Sequence, residues 1–203
     1  MGLIDQAVEA IRAGRPVVLP TDTVYGLCAE PGTEAPVREI HRLKERPADQ
    51  PVALLAKDVD VLLELVPELR SAAGELLRAL LPGRYTLILP NPAQRYPWLT
   101  GSSPSTIGVR VPQLSGPGAE VLERVDAVAA TSANLHGGPE TRRLEDVPVE
   151  IRAGAAALVD GGELPGTPST VLDLTGAEPR ILREGAVPAP EALARVLAAT
   201  AIG

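Results

Sequence analysis

The 203-residue chain is 45% apolar and 22% charged, a globular composition with enough material for one sizeable core. A net charge of −7 works against nonspecific attraction to nucleic acid, and no apolar run approaches the length of a membrane span. The N-terminus has no signal-peptide pattern, and a single cysteine, Cys28, excludes an internal disulfide and a cysteine-built zinc site, so a cytoplasmic location is expected.

Residues 3–13 space Ile4, Ala7, Val8 and Ile11 as one face of a helix, with Gly14 as its stop. The β-branched run at 17–19 reads as a buried strand that ends at Pro20, which has no amide to donate. A helix over 34–44 carries Val37, Ile40 and His41 inward and stops before Pro47. A buried strand follows at 52–56, then helices at 59–65 and 68–81 split by Pro67. Pro82-Gly83 turns the chain into a strand at 85–89, and the Pro-, Ser- and Gly-rich stretch 91–104 is an irregular loop anchored by Trp98. Strands at 106–111, 127–130, 158–160, 170–174 and 180–182, with helices at 118–124 and 191–199, complete one α/β domain over 1–203 with a mixed sheet.

One pattern recurs. An apolar run ends in a cluster of Ser, Thr or Asn beside glycine or proline, at Thr21-Asp22-Thr23, at Thr131-Ser132-Ala133-Asn134 and at Pro168-Ser169-Thr170. Each alone is an ordinary turn. Three such clusters at strand ends point to a polar pocket, since hydroxyls and carboxamides both donate and accept hydrogen bonds.

The cations are the second component. Lys44 and Arg46, in Lys44-Glu45-Arg46-Pro47, would diverge by roughly 200° on a continuous helix. Pro47 biases Arg46 away from helical geometry, so both could converge on one ligand; the alternative is a solvated, capped helix end. Arg110 sits mid-strand between Val109 and Val111, where an arginine needs an anionic partner. Arg183 either faces a ligand or pairs with Glu184 on the surface.

No phosphate-cradling Walker loop, Gly-x-Ser-x-Gly elbow or metal-spaced histidine pair is present; His41 reads as structural and Cys28 as core. Cations and hydroxyls without a covalent nucleophile suit nucleotidyl or phosphoryl transfer, which rests on positioning and charge stabilisation.

Taken together the motifs resemble the YrdC family of threonylcarbamoyl-AMP synthases. The matching pieces, in the family's order, are residues 20–27, Lys44-Glu45-Arg46-Pro47, Pro82-Gly83 before 86–89, Val109-Arg110-Val111-Pro112, residues 131–135, Pro168-Ser169-Thr170-Val171 and Leu182-Arg183-Glu184-Gly185. They span about residues 10–187, and the ordered set is far more specific than any single motif. The resemblance implies a twisted mixed α/β fold with flanking helices and a concave basic cavity. It implies a nucleotidyltransferase reaction in which L-threonine, bicarbonate or CO2, and ATP give threonylcarbamoyl-AMP and pyrophosphate, with Mg²⁺ accompanying ATP. Other proteins would then transfer the threonylcarbamoyl group to tRNA. By motif, Lys44 and Arg46 face the triphosphate and act in catalysis, Thr106, Ser132, Asn134 and Arg183 complete the ATP site, and Thr23, Arg110 and Ser169 hold threonine. No resident protein-bound metal is implied.

Arg84-Tyr85, Gln50 and Cys28-Ala29 depart from the common pattern and touch details of the pocket. The chain resembles the short, single-domain type. Pro82-Gly83-Arg84-Tyr85-Thr86 and Thr106-Ile107-Gly108 lean towards the divergent YciO type, whereas Lys44-x-Arg46-Pro47 with Ser132-Ala133-Asn134 leans towards the synthase. A carbamoyl-transfer module of hydrogenase maturation would need attached acylphosphatase and zinc-finger regions. RNA binding in the same cavity is a further, non-enzymatic reading that the acidic total disfavours.

Overall fold

The computed structural model describes residues 2–200. Helix α1 (Leu3–Arg12) buries Ala7, Val8 and Ile11, and Gly14 closes it at φ +71, so that the Arg15 amide reaches the Ala10 carbonyl. Strand β1 (Val17–Pro20) pairs antiparallel with β2 (Tyr25–Ala29), and Pro20 is its last paired residue, one beyond the expected stop. The second strand of this hairpin was not expected from the sequence. Gly26 and Ala29 dilute its strand signal, and its five residues are buried on both faces, so no alternation marks it.

Helix α2 (Glu34–Leu43) ends almost as the sequence suggests, and β3 (Ala53–Ala56), α3 (Val59–Leu65), α4 (Leu69–Ala72) and α5 (Gly74–Leu80) follow. The expected single helix over 68–81 is two, because Ala73 leaves helical geometry at φ −139 before Gly74. Strand β4 (Tyr85–Pro90) leads into the expected loop, which nonetheless holds one short helix, α6 (Pro97–Thr100). Trp98 anchors it by donating its indole N–H to the Pro31 carbonyl at 2.8 Å. Strand β5 (Thr106–Arg110), α7 (Gly116–Val125) and β6 (Ala127–Ser132) come next, then α8 (Val149–Gly154), which the sequence does not lead one to expect. Residues 158–160 are not a full strand: Leu158 makes one isolated parallel bridge to Val18. Strands β7 (Thr170–Asp173) and β8 (Arg180–Arg183) and helix α9 (Ala189–Thr200) close the described chain.

The eight strands form one mixed sheet in the order β1-β2-β6-β3-β5-β4-β7-β8. The β3–β5 and β4–β7 pairs are parallel and the others antiparallel. Helices α1 and α7 pack together on one face of the β1 end, burying Val8, Ile11, Val121 and Leu122 against Val17, Leu19 and Val128. The larger core, with Leu54, Leu62, Leu77, Leu87 and Val109, holds α2, α3, α5 and α9. Among the described residues no helix is long and apolar enough to cross a membrane.

Candidate functional site

A cavity of about 250 Å³ opens on the sheet, and its floor is built from alternate residues of six strands. Cross-strand register makes this floor continuous: Gly26 lies opposite Ser132, Ala130 opposite Ala53, Gly108 opposite Ile88, and Thr86 opposite Val171. Strand alternation sends Val109, Tyr85 and Leu87 into the core while Arg110, Thr86 and Ile88 face the cavity. Gly26, Ala53, Gly108 and Ala130 keep the floor low, leaving room above it for a ligand.

Six of the nine expected residues line the cavity: Thr23, Arg46, Arg110, Ser132, Ser169 and Arg183. Lys44, Thr106 and Asn134 do not line it. Lys44 is 3% exposed, so the solvated helix end is ruled out. Its ammonium donates to the Ser132 carbonyl at 2.5 Å, the Asn134 carbonyl at 2.6 Å and Asn134 Oδ1 at 3.1 Å. Burial pushes its pKa down to about 8. Asn134 also accepts from Ser132 Oγ at 2.6 Å and donates to the Gly138 carbonyl at 2.6 Å. Lys44 and Asn134 therefore build the turn that presents Ser132. Thr106 sits at the start of β5 and bonds the Ser103 carbonyl.

Lys44 and Arg46 part because of how α2 ends. Glu45 takes a left-handed conformation, φ +52, so its amide reaches the Arg42 carbonyl and the Arg46 amide the His41 carbonyl. This is a Schellman stop with glutamate where glycine is usual. It turns Arg46 back over His41 and out over the sheet. Burial lowers the Arg46 guanidinium to about 10, still charged at neutral pH.

Arg110 is held differently. Its Nη2 donates to the Asp22 carboxylate and, at 3.0 Å, to Thr23 Oγ1, while the other Asp22 oxygen accepts the Gln113 amide at 3.0 Å. The pair is almost completely buried. Desolvation pulls the Arg110 pKa down and Asp22 opposes it. Thr23 is fixed in turn by Thr21, whose Oγ1 accepts the Thr23 and Val24 amides. Arg183 does not pair with Glu184; it donates to the carbonyl of Ser169 at 2.8 Å and to its hydroxyl at 3.3 Å. Ser169 Oγ also bonds Thr86 Oγ1 at 2.7 Å.

Thr86, Thr131 and Glu140 line the cavity without having been singled out as site residues. Thr86 could have been found by alternation along β4. Thr131 lay inside a recognised cluster, whereas Glu140 follows a loop and carried no local signal. Among the described residues Glu140 is the only carboxylate on the wall, and one of its oxygens is buried without a partner. Cys28 is buried in the core, where desolvation pushes its thiol up to about 12.

The model of the Sua5/YciO/YrdC family, described as telomere recombination, matches residues 9–185. The chain belongs to this family. A Stenotrophomonas maltophilia relative named threonylcarbamoyl-AMP synthase is 35% identical over 165 residues, covering 78% of this chain and 86% of its own. Among solved members of the family, Pyrococcus abyssi Sua5 complexed with L-threonine superposes with a TM-score of 0.83 at 34% identity, over 93% of this chain and 55% of that one. Escherichia coli YciO gives 0.79 at 29% identity, over 94% and 92%. The chain thus shares the mixed α/β architecture of these members over more than nine-tenths of its length.

Proposed function

We propose that the protein is an L-threonylcarbamoyladenylate synthase, a nucleotidyltransferase that joins L-threonine, bicarbonate or CO2, and ATP. Relatives that carry the synthase name over most of their length support this reading. The observation that carries it is the cavity wall: three arginines, from the turn after α2, from β5 and from β8, with serine and threonine hydroxyls between them, over a floor of glycine and alanine.

The chemistry needs no protein nucleophile. The threonine amine adds to the carbon of CO2 and loses a proton, giving a carbamate. A carbamate oxygen attacks the α-phosphorus, the bond to the β-phosphate oxygen breaks, and pyrophosphate leaves with that electron pair. Threonine belongs beside Arg110, Thr23 and Ser169. Because Nη2 is occupied by Asp22 and Thr23, the Nη1 side of Arg110 remains for the threonine carboxylate. ATP belongs beside Arg46, Ser132 and Arg183, with Lys44 and Asn134 holding the Ser132 turn from behind. Two fixed cations there stabilise charge as it grows on the leaving pyrophosphate. Mg²⁺ would arrive on the triphosphate as part of the substrate. Among the described residues no group of three or more His, Cys, Asp or Glu side chains is set to hold a metal, and magnesium sites built largely of phosphate and water need few carboxylates. The product, a reactive mixed anhydride, would pass to other proteins for transfer to tRNA.

Arg110→Lys tests the division of the site. Lysine keeps the charge but loses the planar fork. Loss of one charge-assisted bond, about 1.5–3 kcal/mol, should raise the threonine KM roughly ten- to a hundredfold and leave the ATP KM little changed. An equal rise for both substrates would sink the carboxylate assignment.

A further inference from the structure

Arg46 and Arg110 both reach the cavity, yet they are held by opposite means. Arg110 is ion-paired to Asp22. Arg46 makes no ion pair among the described residues, and every acceptor around it is neutral. Its Nε donates to His41 Nδ1 at 3.0 Å, and its Nη2 to the Gln50 and Pro51 carbonyls at 3.3 and 3.1 Å. Only Nη1 is loosely held, against Thr131 Oγ1 at 3.5 Å, and Thr131 is itself on the cavity wall.

His41 lies in the last turn of α2 and is 4% exposed. For Nδ1 to accept, the ring proton must sit on Nε2, which is buried without a partner. Burial first, then the Arg46 and Lys44 cations, hold the imidazole neutral against the opposing pull of Asp49. A carboxylate at this position would also orient the guanidinium, but it would cancel the charge. A neutral imidazole orients it and leaves the charge for an anion. We infer that His41 is the positioning residue for Arg46, aiming its Nη1 edge at a polyanionic ligand while keeping the guanidinium uncompensated. This rests on the proposed use of Arg46 for the triphosphate.

Three variants separate orientation from charge. Asn places an oxygen where Nδ1 stands, Asp places a charged oxygen there, and Leu removes the acceptor while filling the space. Two readouts are needed: ATP affinity by calorimetry without turnover, and protection of the Arg46 Nε proton from solvent exchange by NMR. In the wild type that proton should be protected. His41→Asn should keep it protected and hold the ATP Kd within about threefold. His41→Leu should lose the protection and weaken ATP binding roughly tenfold or more, as expected for a misplaced charged donor, while the threonine Kd stays unchanged. His41→Asp should keep the protection yet weaken ATP binding, since it neutralises the cation. An unprotected Nε proton in the wild type, or wild-type ATP affinity in His41→Leu, overturns the inference. Equal losses in His41→Leu and His41→Asn also overturn it, because ring volume would then be what matters. A wild-type protein that binds no ATP but shows the expected protection pattern would overturn the ATP reading and leave the positioning of Arg46 standing.

Discussion

Asp22→Asn is the sharpest perturbation of the site's framework. Asp22 and Arg110 form an ion pair with side chains only 4% and 10% exposed, and the second Asp22 oxygen also accepts the Gln113 amide. Asparagine keeps the shape and one carbonyl acceptor but leaves the guanidinium buried without its counter-charge. Removing one partner of a buried pair costs about 3–5 kcal/mol, and the retained acceptor places this variant near 3 kcal/mol. At about 2–4 °C per kcal/mol for a chain of this size, the midpoint should fall by roughly 6–12 °C in thermal denaturation at pH 7. The control is Arg38→Ala, which removes an exposed pair with Glu34 whose side chains are 69% and 60% exposed. That variant should lose less than about 1 kcal/mol. Threonine at a hundred times its Kd adds about 2.7 kcal/mol to any form that binds it, so it should recover part of the Asp22→Asn loss. An Asp22→Asn midpoint within 2 °C or so of the wild type, inside the range of a typical exposed pair, would refute the reasoning.

Lys44→Ala should lower the urea midpoint, by about 2 kcal/mol in stability, because three buried oxygens lose a charged donor. A wild-type midpoint would mean that the ammonium does not tie the Ser132 turn to α2. Stability should also fall as pH drops from about 6.5 to about 4. His41 has its folded pKa depressed to about 4, so across that window the unfolded chain binds the extra proton and unfolding gains from each step down in pH. Denaturation curves at intervals across the window should show this slope, and His41→Asn should flatten it. An unchanged slope in that variant would assign the acid sensitivity to other groups.

Much of the sheet was legible because short, continuous apolar runs, too short for a helix and bounded by polar or turn-forming residues, suit strands buried on both faces. Residues 17–19, 53–56, 106–110 and 127–130 are strands for that reason. The hairpin partner at Tyr25–Ala29 was not, since a strand buried on both faces and diluted by Gly26 and Ala29 has no period of two to read. At the site, alternation around Arg110 was sufficient to aim it at the cavity, and Asp22 then supplied the anionic partner that a buried arginine requires. The fate of Lys44 was hidden by Glu45. Nothing in a Lys-Glu-Arg-Pro stretch signals a left-handed glutamate, yet that one φ turns Arg46 over the sheet, while Lys44, still helical, reaches under the Ser132 turn. From its helical position alone His41 reads as structural. Its tie to Arg46 crosses the helix terminus and needs the same turn to exist. Glu140 reaches the wall only through the packing of the loop after β6.

In the proposed reaction this cavity joins a carbamate made from threonine to the α-phosphate of ATP. Incubation with ATP, Mg²⁺, L-threonine and ¹⁴C-bicarbonate tests it directly. Label should appear in an AMP adduct, with pyrophosphate released in equal amount and only when threonine is present. ATP converted to ADP, or pyrophosphate released with no label in the nucleotide, would contradict it.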